Sequence, residues 1–248
     1  MYYFFAIYRK LFPTQIRVIF MKKITYLFAL IAFSLCFVQC ETDRIIIPEE
    51  THHEYIDLGL SVKWAAYNVG ATTPEESGGY FAWGEIEEKS SYNWNTYKYC
   101  FGTGFNLTKY CFDSEYGKDG FTDTKTTLDP QDDAATMNWG GNWRMPTIEE
   151  FEELVYECEW SWITQNGVNG CKVVGPNGNS IFLPAVGSMG GNVNQNVGDR
   201  GWYWSRSLAD KRDDDPNQAR YLGFQPEGVH VDIALTRRYG FSIRAVYP

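Results

Sequence analysis

Histidine is nearly absent from this chain, with three in 248 residues, and that scarcity removes whole classes of chemistry. His52 and His53 stand side by side ahead of the first strand-like piece, and His230 sits in a predicted strand. Three imidazoles so placed are too few for a zinc centre or a Ser-His-Asp triad. No Cys-x-x-Cys pair occurs, so a thioredoxin-like or zinc-ribbon domain is excluded. Ser205 lies in Trp204-Ser205-Arg206 rather than in a nucleophile elbow. The glycine-rich stretch 187–201 has no lysine and runs into a predicted strand, so its amides are not set to cradle phosphate. No segment recurs with a period of 20–50 residues, which argues against a solenoid or propeller.

Positive charge is also scarce. The chain has 22 Lys and Arg, five of them in the first forty residues, against 31 Asp and Glu, all of them later. Residues 41–248 therefore carry a formal charge near −14 (17 basic against 31 acidic). That balance argues against nucleic acid and against anionic membrane surfaces as partners.

What is present begins with an export signal. Lys22 and Lys23 precede the mostly apolar run 24–38, which has the length of a signal-peptide core and falls short of the ~20 residues a spanning helix needs. The run stops at Cys40, followed by Glu41 and Asp43. Residues 21–40 thus resemble a bacterial lipoprotein signal peptide, with Cys40 lipidated as the mature N-terminus. Phe37, Val38 and Gln39 stand where a small residue normally precedes that cysteine; Cys36 is an alternative acceptor, and a plain cleaved signal is the simpler reading. Residues 1–20 fit no export pattern, and Met21 is expected to be the true initiator. Acidic residues after Cys40 resemble a surface-export signal. The expected location is the outer membrane, by lipid anchor only, on the cell surface.

Residues 41–54 read as a polar tether and 55–248 as one folded domain. Strand-like pieces at 55–58, 62–69 and 79–83 come first, rich in aromatic and β-branched residues. Asp129 with Pro130 predicts a short helix running to Met137. Thr147 and Glu150 form a capping box ahead of an amphipathic helix whose Ile148, Phe151, Leu154, Val155 and Cys158 share a face. Its acidic face is expected to be solvated. Beyond it, 171–174 and 180–183 read as a hairpin, 187–201 as a long loop, and 201–208, 219–224, 228–233 and 241–247 as antiparallel strands.

The motifs 55–65 (Tyr-Ile-Asp-Leu-Gly-Leu-Ser-Val-Lys-Trp-Ala), 139–147 (Trp-Gly-Gly-Asn-Trp-Arg-Met-Pro-Thr), Tyr203-Trp204-Ser205 and Gly240-Phe241-Ser242-Ile243-Arg244, in this order, resemble the Fibrobacter succinogenes major paralogous domain family, abundant as lipoproteins of gut Bacteroidota. The likeness runs over residues 55–248. It implies an α+β, C-type-lectin-like fold: small twisted antiparallel sheets, two flanking helices, long loops, and first and last strands paired. The Trp-Arg-Met-Pro-Thr pattern is also similar to that of the sulfatase-modifying enzymes. Those act through a C-terminal copper-binding cysteine pair, whereas this chain has no cysteine after Cys171. Arg144 and Thr147 are accordingly expected to form a structural turn and a helix cap, and no catalytic residue or copper chemistry is expected.

Several candidate sites remain. Cys100, Cys111, Cys158 and Cys171 allow three disulfide pairings. Proximity favours Cys100 with Cys111 and Cys158 with Cys171, each bond contributing ~3 kcal/mol in the chain-entropy picture; buried free thiols are the other reading. Asp213, Asp215 and Asn217, around Pro216, loosely resemble the calcium-binding loop of sugar-binding C-type lectins, with a solvated acidic turn as the simpler explanation. No other metal is expected. Trp202, Trp204 and Arg206 fall on one face of a strand. Exposed, they form a stacking platform for a sugar or a protein; buried, they are core, and Trp160 and Trp162 pose the same question. The expectation is a binding module for a glycan or a surface protein, with a component of a fimbrial or surface assembly as the alternative and a copper oxidoreductase related to the sulfatase-modifying enzymes as a remote one. Loops 189–200 and 210–218 are the expected ligand-bearing segments.

Overall fold

The computed structural model describes residues 53–210 and 215–248. The expected signal peptide, Cys36, Cys40, His52, nearly all of the tether, and Asp213 lie outside the described residues. The chain divides into Met1–Thr51 and His52–Pro248. The folded unit thus begins just ahead of the predicted position 55, and His53 stacks on Trp139 at 4.0 Å and 12°.

The fold is sheet-rich α+β. β1 (Tyr55–Ile56), β2 (Lys63–Ala65) and β13 (Val246–Tyr247) form one small antiparallel sheet in the order β1-β2-β13. Trp64 is the shared rung, opposite Ile56 on one side and Val246 on the other. This pairs the two ends of the domain. β3 (Phe81–Ala82), β12 (Gly240–Phe241), β7 (Ser188–Gly190) and β8 (Val193–Gln195) make a second sheet. The expected long loop at 187–201 is therefore largely a hairpin, whose turn Gly191 closes at φ +63°.

β4 (Glu159–Gln165), β5 (Val168–Val174) and β6 (Ser180–Pro184) form a meander. β4 and the first half of β5 are not expected from the sequence; they pair because Asn166-Gly167 takes positive φ at both positions (48° and 86°), the twist a two-residue hairpin turn requires. β9 (Gly201–Leu208), β10 (Gln218–Gln225) and β11 (Gly228–Thr236) complete the set.

Two helices lie between. The predicted helix from Asp129 starts later. Pro130–Asp132 is a single 3-10 turn, and α1 (Ala134–Trp139) follows, capped by Asp133, whose carboxylate accepts from the Thr136 amide. Asp133 wins the cap because Asp129 is drawn into ion pairs with Lys109 and Lys125. α2 (Ile148–Glu157) has the expected capping box: Thr147 accepts from the Glu150 amide, and Glu150 accepts from the Thr147 amide. Glu150 also holds Arg144 through both guanidinium nitrogens at 2.7 and 2.5 Å. Thr147 thus caps α2, as expected, and Arg144 is held at the turn before it.

β9 separates two cores by simple alternation. Trp204 faces one, stacked on Phe241 at 4.1 Å with Trp83, Tyr110 and Ile243 nearby in the same cluster. Tyr203 faces the other, stacked on Phe224 beside Trp64 and the α2 residues Phe151 and Leu154.

Candidate functional site

The extended segment 122–128 lies along the edge of β9. Leu128 N donates to Arg206 O (3.0 Å), Leu208 N donates to Thr126 O (2.8 Å), and Thr127 bridges Ser207. Asp123 anchors the segment's start, its carboxylate accepting from the amides of Tyr110, Cys111 and Lys125 at 2.8–3.2 Å. Across from it, Ile148 N donates to Ser207 Oγ (3.1 Å), tying the first turn of α2 to the end of β9.

Between these elements runs an open cleft of about 840 Å³. One wall is the threonine segment, the other carries Thr147, Ile148, Glu149 and Glu152, and Ser207 to Asp210 with Arg220 close it. Phe112 adds an aromatic surface.

The cleft's polar groups are of two kinds. Thr147 is spent on the cap, Ser207 on Ile148, and Lys125 on Asp129 at 2.7 and 2.9 Å. Among the described residues, the hydroxyls of Thr122, Thr124, Thr126 and Thr127 and the carboxylates of Glu149 and Glu152 make no hydrogen bond. Six residues with hydrogen-bonding side chains thus line the cleft without being committed elsewhere. Phe121, 37% exposed, precedes Thr122 at the same margin.

The described residues singled out in the sequence as ligand candidates lie outside this cleft, and the tryptophans follow the core reading. Trp204 is fully buried, its indole N–H donating to Phe81 O at 3.0 Å. Trp202 is half-buried against the same Phe241, and Arg206 donates to Leu128 O at 2.8 Å while lying 3.7 Å from the buried Asp133. The three do not form an exposed platform, because Phe241 and the 128–133 segment cover that face of β9. Trp160 and Trp162 pack against Phe224.

Asp215 accepts from the Tyr116 hydroxyl, which pushes that phenol up to about 12. Pro216 and Asn217 are buried. Among the described residues no three His, Cys, Asp or Glu side chains are grouped to hold a metal ion. Of the two loops expected to carry the ligand, only the second reaches the cleft, at Asp210.

The four described cysteines are free thiols rather than two disulfides. Cys100 Sγ donates to Trp94 O and Cys111 Sγ to Asp113 O, each at 3.0 Å, so each sulfur is turned to a carbonyl of its own loop. Burial pushes Cys171 up to about 12; burial first, then Glu153 and Glu157, takes Cys158 up to about 11. Such thiols are poor nucleophiles near neutral pH. Alkylation of the unfolded protein without reductant is expected to label all four, and reductant is expected to leave Tm unchanged; peptide mapping that finds either bridge would contradict this.

Sequence reasoning missed a different exposed group. Phe101 and Phe105, 60% and 59% exposed, flank a tight turn closed by Phe101 N donating to Asn106 O (3.1 Å). Phe105 stacks on Tyr116 at 4.8 Å, and the Lys118 ammonium sits 4.2 Å from the centre of the Phe101 ring. The signal was an aromatic pair about a Gly-Thr-Gly turn, Gly102-Thr103-Gly104, in a segment without strand alternation.

The chain matches no family model, and neither a curated protein nor a solved structure is significantly similar to it.

Proposed function

We propose that this protein is a non-catalytic binding module, tethered to the outer membrane by a lipid on Cys40, that takes a glycan in the threonine-lined cleft. The observation that carries this reading is the set of four unpartnered threonine hydroxyls and two unpartnered carboxylates around an open volume of about 840 Å³. Sugars are recognised by many hydrogen bonds of both senses together with an apolar ring face, which Phe112 would supply. The paired chain ends, two helices and small sheets support a C-type-lectin-like arrangement and the paralogous-domain family that the motifs resemble.

A glycan array probed with the purified protein tests this directly, alongside Thr124→Val/Thr126→Val, which keeps the shape and removes two hydroxyls. Selective binding that falls roughly 10-fold in the variant is expected. Binding unchanged by the variant would move the site elsewhere, and binding that survives chelation would remove calcium from the account. Chromatography of a bound glycan after long incubation is expected to return it intact.

The alternative, a component of a surface assembly, is favoured by one observation: the exposed pair Phe101 and Phe105. Aromatic anchors of this kind are typical of protein contacts. Co-purification at fixed stoichiometry, lost in Phe101→Ser/Phe105→Ser, would support it over capture of a glycan.

A further inference from the structure

Two fully buried guanidinium groups allow a comparison within one molecule. Arg244 spends every nitrogen: Nε donates to Asn68 Oδ1, Nη1 to Ala65 O and Ala66 O, and Nη2 to Phe182 O, at 2.8–3.0 Å. Arg237 is equally buried and uses only Nη1, to Lys109 O and Tyr110 O at 3.3 and 3.1 Å. Its Nε and Nη2 donate to no protein acceptor. Those two N–H groups are one side of the guanidinium fork, the geometry that grips an anion with two parallel bonds.

Among the described residues no carboxylate pairs with this cation. Trp83 and Tyr97 rings lie 5.4 and 5.6 Å from its carbon, which helps a cation but offers no lone pair along the N–H directions. A buried charge left without a partner costs several kcal/mol. On the next strand, Asn217 accepts from the Arg237 backbone amide at 2.9 Å, one rung beyond Gln218 and Thr236, so the two side chains share a face of the β10–β11 pair. Asn217 is 8% exposed, and its Oδ1 also lacks a partner. Amide oxygen and nitrogen are exchanged by a half-turn, after which the NH₂ takes the place of the unsatisfied oxygen and adds donors to that face.

We propose that the Nε and Nη2 fork of Arg237, with the Asn217 amide, holds a small inorganic anion of halide size inside the domain. A halide accepts from both guanidinium N–H groups and cancels the buried charge, whereas a water molecule satisfies the bonds and leaves the charge. With Arg237 at 0% exposure the fork is shut off from bulk solvent, which favours the smallest anions over a phosphate or a sugar carboxylate.

The test is thermal unfolding of the full chain while chloride replaces gluconate at constant ionic strength. An anion that binds only the folded state is expected to raise Tm with the logarithm of chloride, by about 5 °C over a hundredfold range above its dissociation constant. Arg237→Lys keeps the charge, removes the fork and is expected to flatten the dependence. Thr147→Ala weakens a distant helix cap, so it is expected to lower Tm and leave the chloride slope as it was. Bromide-soaked wild-type crystals provide a measurement independent of any variant, with an anomalous peak expected at the fork. A Tm independent of chloride overturns the proposal, and so does a soaked crystal without that peak.

Discussion

Replacing Arg244 with methionine is expected to destabilise the domain by about 3–5 kcal/mol, a large part of the 5–15 kcal/mol that holds a typical domain folded. Arg244 joins two distant pieces of chain: the end of β2 and the residues after it, through the Ala65 and Ala66 carbonyls and the Asn68 side chain, and Phe182 in β6. Methionine fills much of the volume but leaves these oxygens without donors, and each buried orphan acceptor costs about 1–3 kcal/mol. The loss is reduced by what the wild type spends on dehydrating the guanidinium; burial lowers Arg244 to about 10, still charged at neutral pH. Lysine is expected to restore less than half, because an ammonium concentrates its donors at one point and cannot reach acceptors on opposite sides. Urea unfolding with an unchanged m-value and a reduced midpoint is the measurement. A loss below about 1 kcal/mol would show that the carbonyls find other donors.

Acid is expected to weaken the domain most steeply between pH 4 and pH 2, through Asp132. This buried carboxylate accepts from the Tyr110 hydroxyl at 2.7 Å, from Lys109 at 2.5 Å and from Tyr99, and so ties residues 97–110 to the turn before α1. Burial alone would push the carboxyl up; the bonds from Lys109, Tyr99 and Tyr110 outweigh it and bring it down to about 2.

A folded value below the unfolded ~3.9 means that the unfolded chain takes up the proton first. The stabilisation is complete above pH ~4 and disappears as pH falls towards 2, amounting to roughly 2.5 kcal/mol. Asp133, fully enclosed beside it, works in the opposite direction, because burial pushes its carboxyl up and favours the folded state as protons are added. Asp132→Asn separates the two contributions. It is expected to cost about 2–3 kcal/mol at pH 7 and to remove most of the fall between pH 4 and pH 2. An acid limb as steep in the variant as in the wild type would assign the effect to other carboxylates.

Local order was legible wherever one stretch of chain contains its own physical reason. The α2 helix was readable because the Thr147 and Glu150 cap and the 3.6-residue apolar spacing lie within a dozen residues. The β5–β6 hairpin and the strands β9 to β11 were readable for the same reason. Asp129 misled because its role depends on Lys109, twenty residues earlier, which no local pattern reveals. The Asn166-Gly167 turn was written in the chain, but Trp160 and Trp162 before it fit a core or a stacking surface equally by local pattern, and neither reading implies the β4–β5 hairpin.

The cleft was hidden for a related reason. Nothing in Thr122 to Thr127 says that this segment will lie beside Ser207 and opposite Glu149, since those groups meet only through pairing across some eighty residues. By itself the sequence determined the sheet-rich α+β character and the α2 helix with its cap, because these follow from short-range periodicity and capping chemistry. Only the tertiary structure decided which aromatic residues are core and which are exposed, that the four thiols stay apart, and where free hydroxyls converge. Burial and long-range pairing are properties of surfaces brought together, and alternation along one strand identifies its faces without saying what covers them.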